Sequence, residues 1–302
     1  MPRLHSQKRR FQKEKQLDGK KRVAIAIPAS IVSDTPHLRE KTAKIGYIAR
    51  AAAIFRVDEI IVYADNLKAN QKRDLEFVSL LLRYLETPQY LRKRLFELKP
   101  ELQFAGILPP LRTPHHPQQG KSRVLKVGDY REGVITSKTE NSAQVDIGVE
   151  KTAVLRNYQG ELNQRITFKI IKAKTDQIEV QEASKAEVAE YWGYAVSVEA
   201  RPFRNWIEDR KFDLAVGTSK LAPRFQGLAS ALASRWHKAN RILLLFGAPA
   251  RGLFDIAEDE GVRLEALVDF VLNTVPDQGT ETVRTEEALL ATLAIFNEHF
   301  TI

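Results

Sequence analysis

The chain has 302 residues, 43% hydrophobic and 28% charged, enough for one large globular domain plus a smaller one. With no Cys it can form neither disulfides nor thiolate metal sites. No secretory leader pattern opens it, and no apolar run approaches the roughly 20 residues of a membrane span, so a cytoplasmic location is expected. The net charge of +9 is unevenly placed: residues 1–22 carry nine basic groups against Glu14 and Asp18, a net +7. Such an arm on a near-neutral body suits a polyanion, although a solubilising tail has the same composition.

Residues 23–110 carry α/β patterning. Val23 to Pro28 is a continuous apolar strand. Leu38 to Phe55 is a helix, with Ile45, Ile48, Ala49, Ala52 and Phe55 at helical spacing. A strand over Ile60 to Tyr63 and helices over Asp74 to Leu85 and Pro88 to Leu98 follow, the start of a parallel sheet.

The character changes after Pro109-Pro110. Residues 112–120, rich in Pro, His, Gln and Gly, read as a linker. His115 and His116 are adjacent and cannot share a helical face as a metal pair; linker residues is their expected role, and no metal is expected. From 122 to 183 short β runs recur at Val124–Val127, Tyr130–Thr136, Ala143–Val145, Thr152–Leu155, Ile166–Ile171 and Ile178–Gln181, punctuated by glycines. This spacing predicts a small barrel similar to an OB-fold. Its candidate RNA contacts are Tyr130, Arg131, Lys138, Arg156 and Tyr158; a structural or dimer-supporting barrel is the alternative.

The α/β pattern resumes near Glu187. Strands are expected at Ala195–Val198 and Leu214–Gly217, and a helix over Leu228–Lys238. The apolar strand Ile242 to Phe246 then runs into the loop Gly247-Ala248-Pro249-Ala250-Arg251-Gly252. A second apolar run, Val268 to Leu272, runs into Asn273-Thr274-Val275-Pro276-Asp277-Gln278-Gly279. A last helix, Glu286 to Glu298, opens with Thr285 as its expected cap and Glu286 and Glu287 in its first turn. Loops at the C-terminal ends of neighbouring parallel strands form the crevice where α/β sheets bind ligands. Two phosphate-loop readings fail. The loop from Gly247 has Walker spacing, but Leu253-Phe254 stands in place of Lys-Ser/Thr, and no G-x-G-x-x-G follows a strand.

These two strand-loop segments, preceded by Ala43 to Ile60 with its single helix arginine, Arg50, then Phe55 and the Val57 turn into a strand, resemble the three motifs of the SPOUT superfamily of RNA methyltransferases, in the family's order. The resemblance covers most of the chain outside the arm and the middle, and is strongest to the archaeal and eukaryotic branch with an inserted β domain. It implies an α/β fold with a knotted parallel sheet, helices on both faces and an OB-like insertion: an arm at 1–22, a methyltransferase domain at 23–110 and 185–302, and the barrel at 111–184. It also implies S-adenosyl-L-methionine as cofactor, a homodimer, and RNA as substrate, with ribosomal RNA and a base nitrogen such as that of uridine as target.

The cofactor loops implied are Phe246, Gly247 and Gly252 on one side and Leu272, Asn273, Pro276, Gln278, Gly279, Thr282 and Val283 on the other. Glycines there let the backbone approach adenine, although any one alone reads equally as a turn glycine. Arg50 is the leading catalytic candidate. A long cation on a face of small and apolar residues needs a partner, and the resemblance makes that partner the RNA phosphate or acceptor nucleotide; a core carboxylate is the alternative. Arg284 is implied to hold substrate phosphate or a partner subunit. Glu281 is either a base or a solvated loop acid. A non-catalytic RNA-binding or ribosome-assembly factor that keeps the fold remains the alternative function.

Overall fold

A computed structural model describes residues 21–174 and 177–300. The chain opens with β1 (Arg22–Pro28), α1 (Leu38–Ile54), β2 (Glu59–Tyr63), α2 (Lys72–Glu86) and α3 (Gln89–Leu95). The strands β3 (Tyr130–Lys138), β4 (Ser142–Asp146), β5 (Ala153–Arg156), β6 (Arg165–Ala173) and β7 (Ile178–Ala183) form the middle. Then come β8 (Ala195–Glu199), α4 (Phe203–Arg210), β9 (Leu214–Thr218), α5 (Phe225–Lys238), β10 (Arg241–Leu245), α6 (Leu253–Asp259), α7 (Leu264–Leu267), β11 (Phe270–Leu272) and α8 (Thr285–Phe300).

Six strands make one parallel sheet in the order β11-β9-β10-β1-β2-β8. Both faces are covered, which explains why its strands are continuous apolar runs. Strand alternation divides them: Val23, Ile25 and Ile27 pack in the cluster with α1, α2, α5 and α8. Ala24 and Ala26 pack on the other side with Phe203, Trp206, Ile256 and Leu264 of α4, α6 and α7.

The middle strands close a barrel in the order β3-β4-β5-β7-β6 with its own core of Ile135, Val145, Phe168, Ile170 and Val180. The arrangement is OB-like. Residues Val124 to Val127 are not a strand; a 3-10 turn over Ser122–Val124 and a loop to Gly128, at φ 98°, take their place. Of the barrel's candidate RNA contacts, Tyr158 is buried and donates to the Glu161 carbonyl, and Arg156 pairs with Glu179 at 3.1 Å. Arg131 is also buried. Tyr130 lies under the Lys169 ammonium, and Lys138 reaches the Gly160 carbonyl.

Residues 112–120 are not a loose linker. His115 is buried, and its Nε2 and that of His116 both donate to the Glu86 carbonyl, at 3.0 and 2.8 Å. The reason is a polar seam between sheet domain and barrel. Glu86 at the end of α2 receives Arg165 of β6 at 2.6 Å, and the same guanidinium reaches Glu132 of β3 at 2.6 Å. Thr167 and the Trp192 indole complete Glu132, while Lys185 approaches Glu86. Gly193, at φ 79°, passes so close that a Cβ would stand 2.5 Å from His115 and 2.6 Å from Glu86.

At the chain's start, Lys21 and Arg22 belong to the fold rather than to an arm. Arg22 begins β1, and the Lys21 ammonium takes the carbonyls of Trp236, His237 and Ala239 at the end of α5, where a cation also suits the helix dipole. Residues 1–20, which carry the rest of the expected arm, lie outside the described residues.

Candidate active site

The sheet order alters the crevice expected from sequence. The strands β10 and β11 are not neighbours, because β9 lies between them. Three loops therefore meet at the C-terminal edge, and the middle one supplies Thr218, Ser219, Lys220 and Leu221. Sequence reasoning missed this loop; its signal was the polar Thr218-Ser219-Lys220 directly after an apolar strand, with Pro223 beyond. The three loops and the start of α8 enclose a cleft of about 320 Å³.

Each loop is held by identifiable contacts. The buried Tyr63 hydroxyl, whose pKa burial pushes well up, donates to the Phe246 carbonyl at 2.7 Å, fixing where the chain leaves β10. Beyond it the loop folds on itself, with Ala248 N–H on the Arg251 carbonyl at 2.8 Å. That closure requires Gly247: a Cβ there would lie 3.1 Å from Leu253 N and 3.2 Å from Gly252 Cα. Arg251 is committed to the Asp65 carbonyl and the Asp259 carboxylate, tethering the loop beside β2. Gly252 N–H donates to Asp255 at the start of α6.

The segment after β11 is stitched to the loop after β9. Asn273 N–H donates to Pro223, its carbonyl accepts from Phe225 N–H, and its side chain bonds the Lys220 carbonyl and Val275 N–H. Asp277 adopts φ 53° and pairs with Arg224 at 2.6 Å. Gln278 turns its amide onto the carbonyls of Thr280 and Glu281, both at 2.9 Å. Thr285 does not cap α8: its hydroxyl donates across the cleft floor to Gly247 at 3.0 Å, and Glu287 accepts Arg284 N–H instead. Glu286 of the same turn pairs with the buried Lys44 of α1 at 3.2 Å.

Of the expected cofactor residues, Phe246, Gly247, Gly252, Asn273, Gln278, Thr282 and Val283 line the cleft. Leu272 is buried beneath it as the last residue of β11. Pro276 and Gly279 belong to the same loop as Gln278 but are not on the lining. Nor are the three catalytic candidates. Arg284 and Glu281 are exposed, and the Glu281 carbonyl receives Lys220 at 3.4 Å. Arg50 donates to the carbonyls of Pro110 and Leu111, at 3.3 and 2.5 Å. Its partner is therefore neither a core carboxylate nor a group in the cleft. One turn earlier Gly46 approaches the same segment so closely that a Cβ would meet Pro109 at 2.8 Å. Gly46 and Arg50 together seat residues 108–111 against α1.

The cleft's chemistry suits a nucleoside-bearing ligand. Its lining mixes apolar side chains (Leu221, Phe246, Pro249, Val275, Val283) with polar ones such as Thr218, Ser219, Lys220, Asn273 and Gln278. Its volume falls in the range of small-molecule and cofactor sites. Among the described residues Asp255 is the carboxylate on its lining, and it accepts Gly252 N–H at 2.8 Å.

A family profile described as "Putative RNA methyltransferase" matches residues 22–296. The chain is 33% identical to the 28S rRNA (uridine-N(3))-methyltransferase of Drosophila melanogaster, over 91% of this chain and 62% of that protein. It is 31% identical to the mouse protein of the same name, over 90% and 75% respectively. An uncharacterized protein of Halobacterium salinarum is 31% identical over 89% of this chain and 96% of its own length. With the match running from the first residue of β1 into the last helix, the chain belongs to this family of RNA methyltransferases.

Proposed function

We propose that the protein transfers a methyl group from S-adenosyl-L-methionine to ribosomal RNA, at N3 of a uridine, with the cofactor in the three-loop cleft. The observation that carries this reading is the meeting of loops 218–221, 246–252 and 273–283 around one cavity at the C-terminal edge of the sheet. The names of the Drosophila and mouse relatives support the RNA and the atom.

When bound, the cofactor supplies an electrophilic methyl group on a sulfonium. The chain's own contribution is positional. Phe246, Pro249, Val275 and Val283 give the cofactor apolar surface, and the backbone of loops 246–252 and 273–283 offers N–H and C=O groups to a base. The chain's part in the transfer is to hold the acceptor in line with the methyl group and to dehydrate it.

The same reading includes a trefoil-knotted SPOUT fold and a homodimer. Tyr47 and Ile54, seven residues apart on α1, are 66% and 51% exposed, and Leu290 of the adjacent α8 is 47% exposed. These apolar side chains suit a second copy of the chain. The basic arm would add phosphate contacts, and the cytoplasm is the compartment this reading carries. Calorimetry with S-adenosyl-L-methionine tests it: stoichiometric binding is expected, and no binding would favour a non-catalytic RNA-binding factor.

A further inference from the structure

A second cleft, of about 240 Å³, lies on the seam between sheet domain and barrel. One wall is the first turn of α3, Gln89 and Tyr90; the other is the segment Pro110 to Gln118. The Tyr90 hydroxyl donates to the Glu132 carbonyl of β3 at 2.7 Å, and its ring lies over Gly148, where a Cβ would stand 2.5 Å away. The opposite wall is the segment that Gly46 and Arg50 seat against α1. Both walls are thus built, not loose.

What they present is unspent. Gln89, Arg112 and Gln118 are exposed, and their side chains make no hydrogen bond or ion pair among the described residues. Arg112 holds φ 53°, a conformation that costs energy for a side-chain-bearing residue. His116 is kept neutral near pH 7, because burial, then the neighbouring His115, pushes its pKa down to about 4. Its Nε2 bonds a carbonyl, which can only accept, so Nε2 carries the hydrogen and Nδ1 remains an acceptor. Among the described residues no carboxylate lines the cleft. The site therefore combines donor-acceptor amides, a neutral imidazole, an aromatic ring and uncompensated guanidinium charge.

We infer that this seam cleft binds an unpaired nucleotide of the RNA substrate, remote from the methyl-transfer cleft. Gln89, Gln118 and His116 address the base edge, and Arg112 the phosphate. Amide side chains match the paired donor and acceptor of a base edge, and single-stranded RNA is recognised through unstacked bases. Arg50 acts here as a positioning residue, since it holds the 110–111 carbonyls behind Arg112. This inference rests on the reading that the substrate is RNA.

The test measures binding of a fluorescent, mixed-sequence single-stranded RNA of about 12 nucleotides, a length within the span of one OB-type barrel, to the full chain. Arg112→Gln should weaken binding about fivefold and flatten the plot of log affinity against log salt by about 0.7, the share of one phosphate on single-stranded RNA. Gln89→Ala with Gln118→Ala should weaken it about tenfold without changing that slope. Melting temperature and cofactor affinity should stay at wild-type values in both. Equal affinity of wild type and variants, or no binding of the oligonucleotide by the wild type, would overturn the seam site. Methyl transfer to ribosomal RNA, assayed separately on the same preparations, decides the broader reading independently.

Discussion

Two glycines in the loops around the three-loop cleft separate a folding role from a binding role. A Cβ at Gly247 would crowd the backbone of Gly252 and Leu253, at 3.2 and 3.1 Å, whereas one at Gly279 meets nothing within 4 Å. Gly247→Val should therefore cost stability, about 1–3 kcal/mol for enforced overpacking, and lower the melting temperature. Gly279→Val should leave melting unchanged while reducing affinity for S-adenosyl-L-methionine, if the loop backbone meets the cofactor. Unchanged affinity would remove Gly279 from the site. The sequence names both glycines, and only packing distinguishes them. Arg50 carries the same lesson: a helix pattern shows that its cation needs a partner, but the partner is a pair of carbonyls some 60 residues away. His116 gives a pH prediction. Its pKa, held down by burial to about 4 from 6.5, means that the folded state disfavours the charged ring. Its contribution to stability is therefore full above pH 6.5 and lost as pH falls towards 4. Melting temperature should drop across that window, and less so in His116→Gln; the same drop in both would assign the effect elsewhere.

At the scale of elements, continuous apolar runs disclosed the parallel strands because both faces of the sheet are buried. What stayed hidden was the order of the strands. Nothing local in β9 says that it stands between β10 and β11, so the loop 218–221 escaped notice until the sheet was assembled. The short helices α4, α6 and α7 were missed for a related reason: they are too brief to display a helical period. The exposed residues of α1 and α8 yield a test at this scale. Tyr47→Glu with Ile54→Arg should convert a dimer to a monomer in light scattering while preserving the melting of one folded chain, because both side chains project from the core. A wild-type chain that is already monomeric would end the dimer reading.

For the whole molecule, the barrel was legible from glycine-punctuated β runs, but its attachment was not. Glu86, Glu132, Arg165, His115 and Trp192 are separated by dozens of residues and converge only when the two bodies meet. A composition that reads as a linker supplied the buried histidine of that seam. Removing Arg165 would take the bridging guanidinium from two buried carboxylates, so Arg165→Leu should destabilise the fold by about 3–5 kcal/mol in denaturant titration. A negligible change would mean that the seam is not a lock. The central claim is that the three-loop cleft delivers a methyl group to RNA. Its most direct measurement is transfer of labelled methyl from S-adenosyl-L-methionine to ribosomal RNA purified from cells lacking this protein. The account predicts one labelled uridine, methylated at N3. No label in that RNA would contradict it.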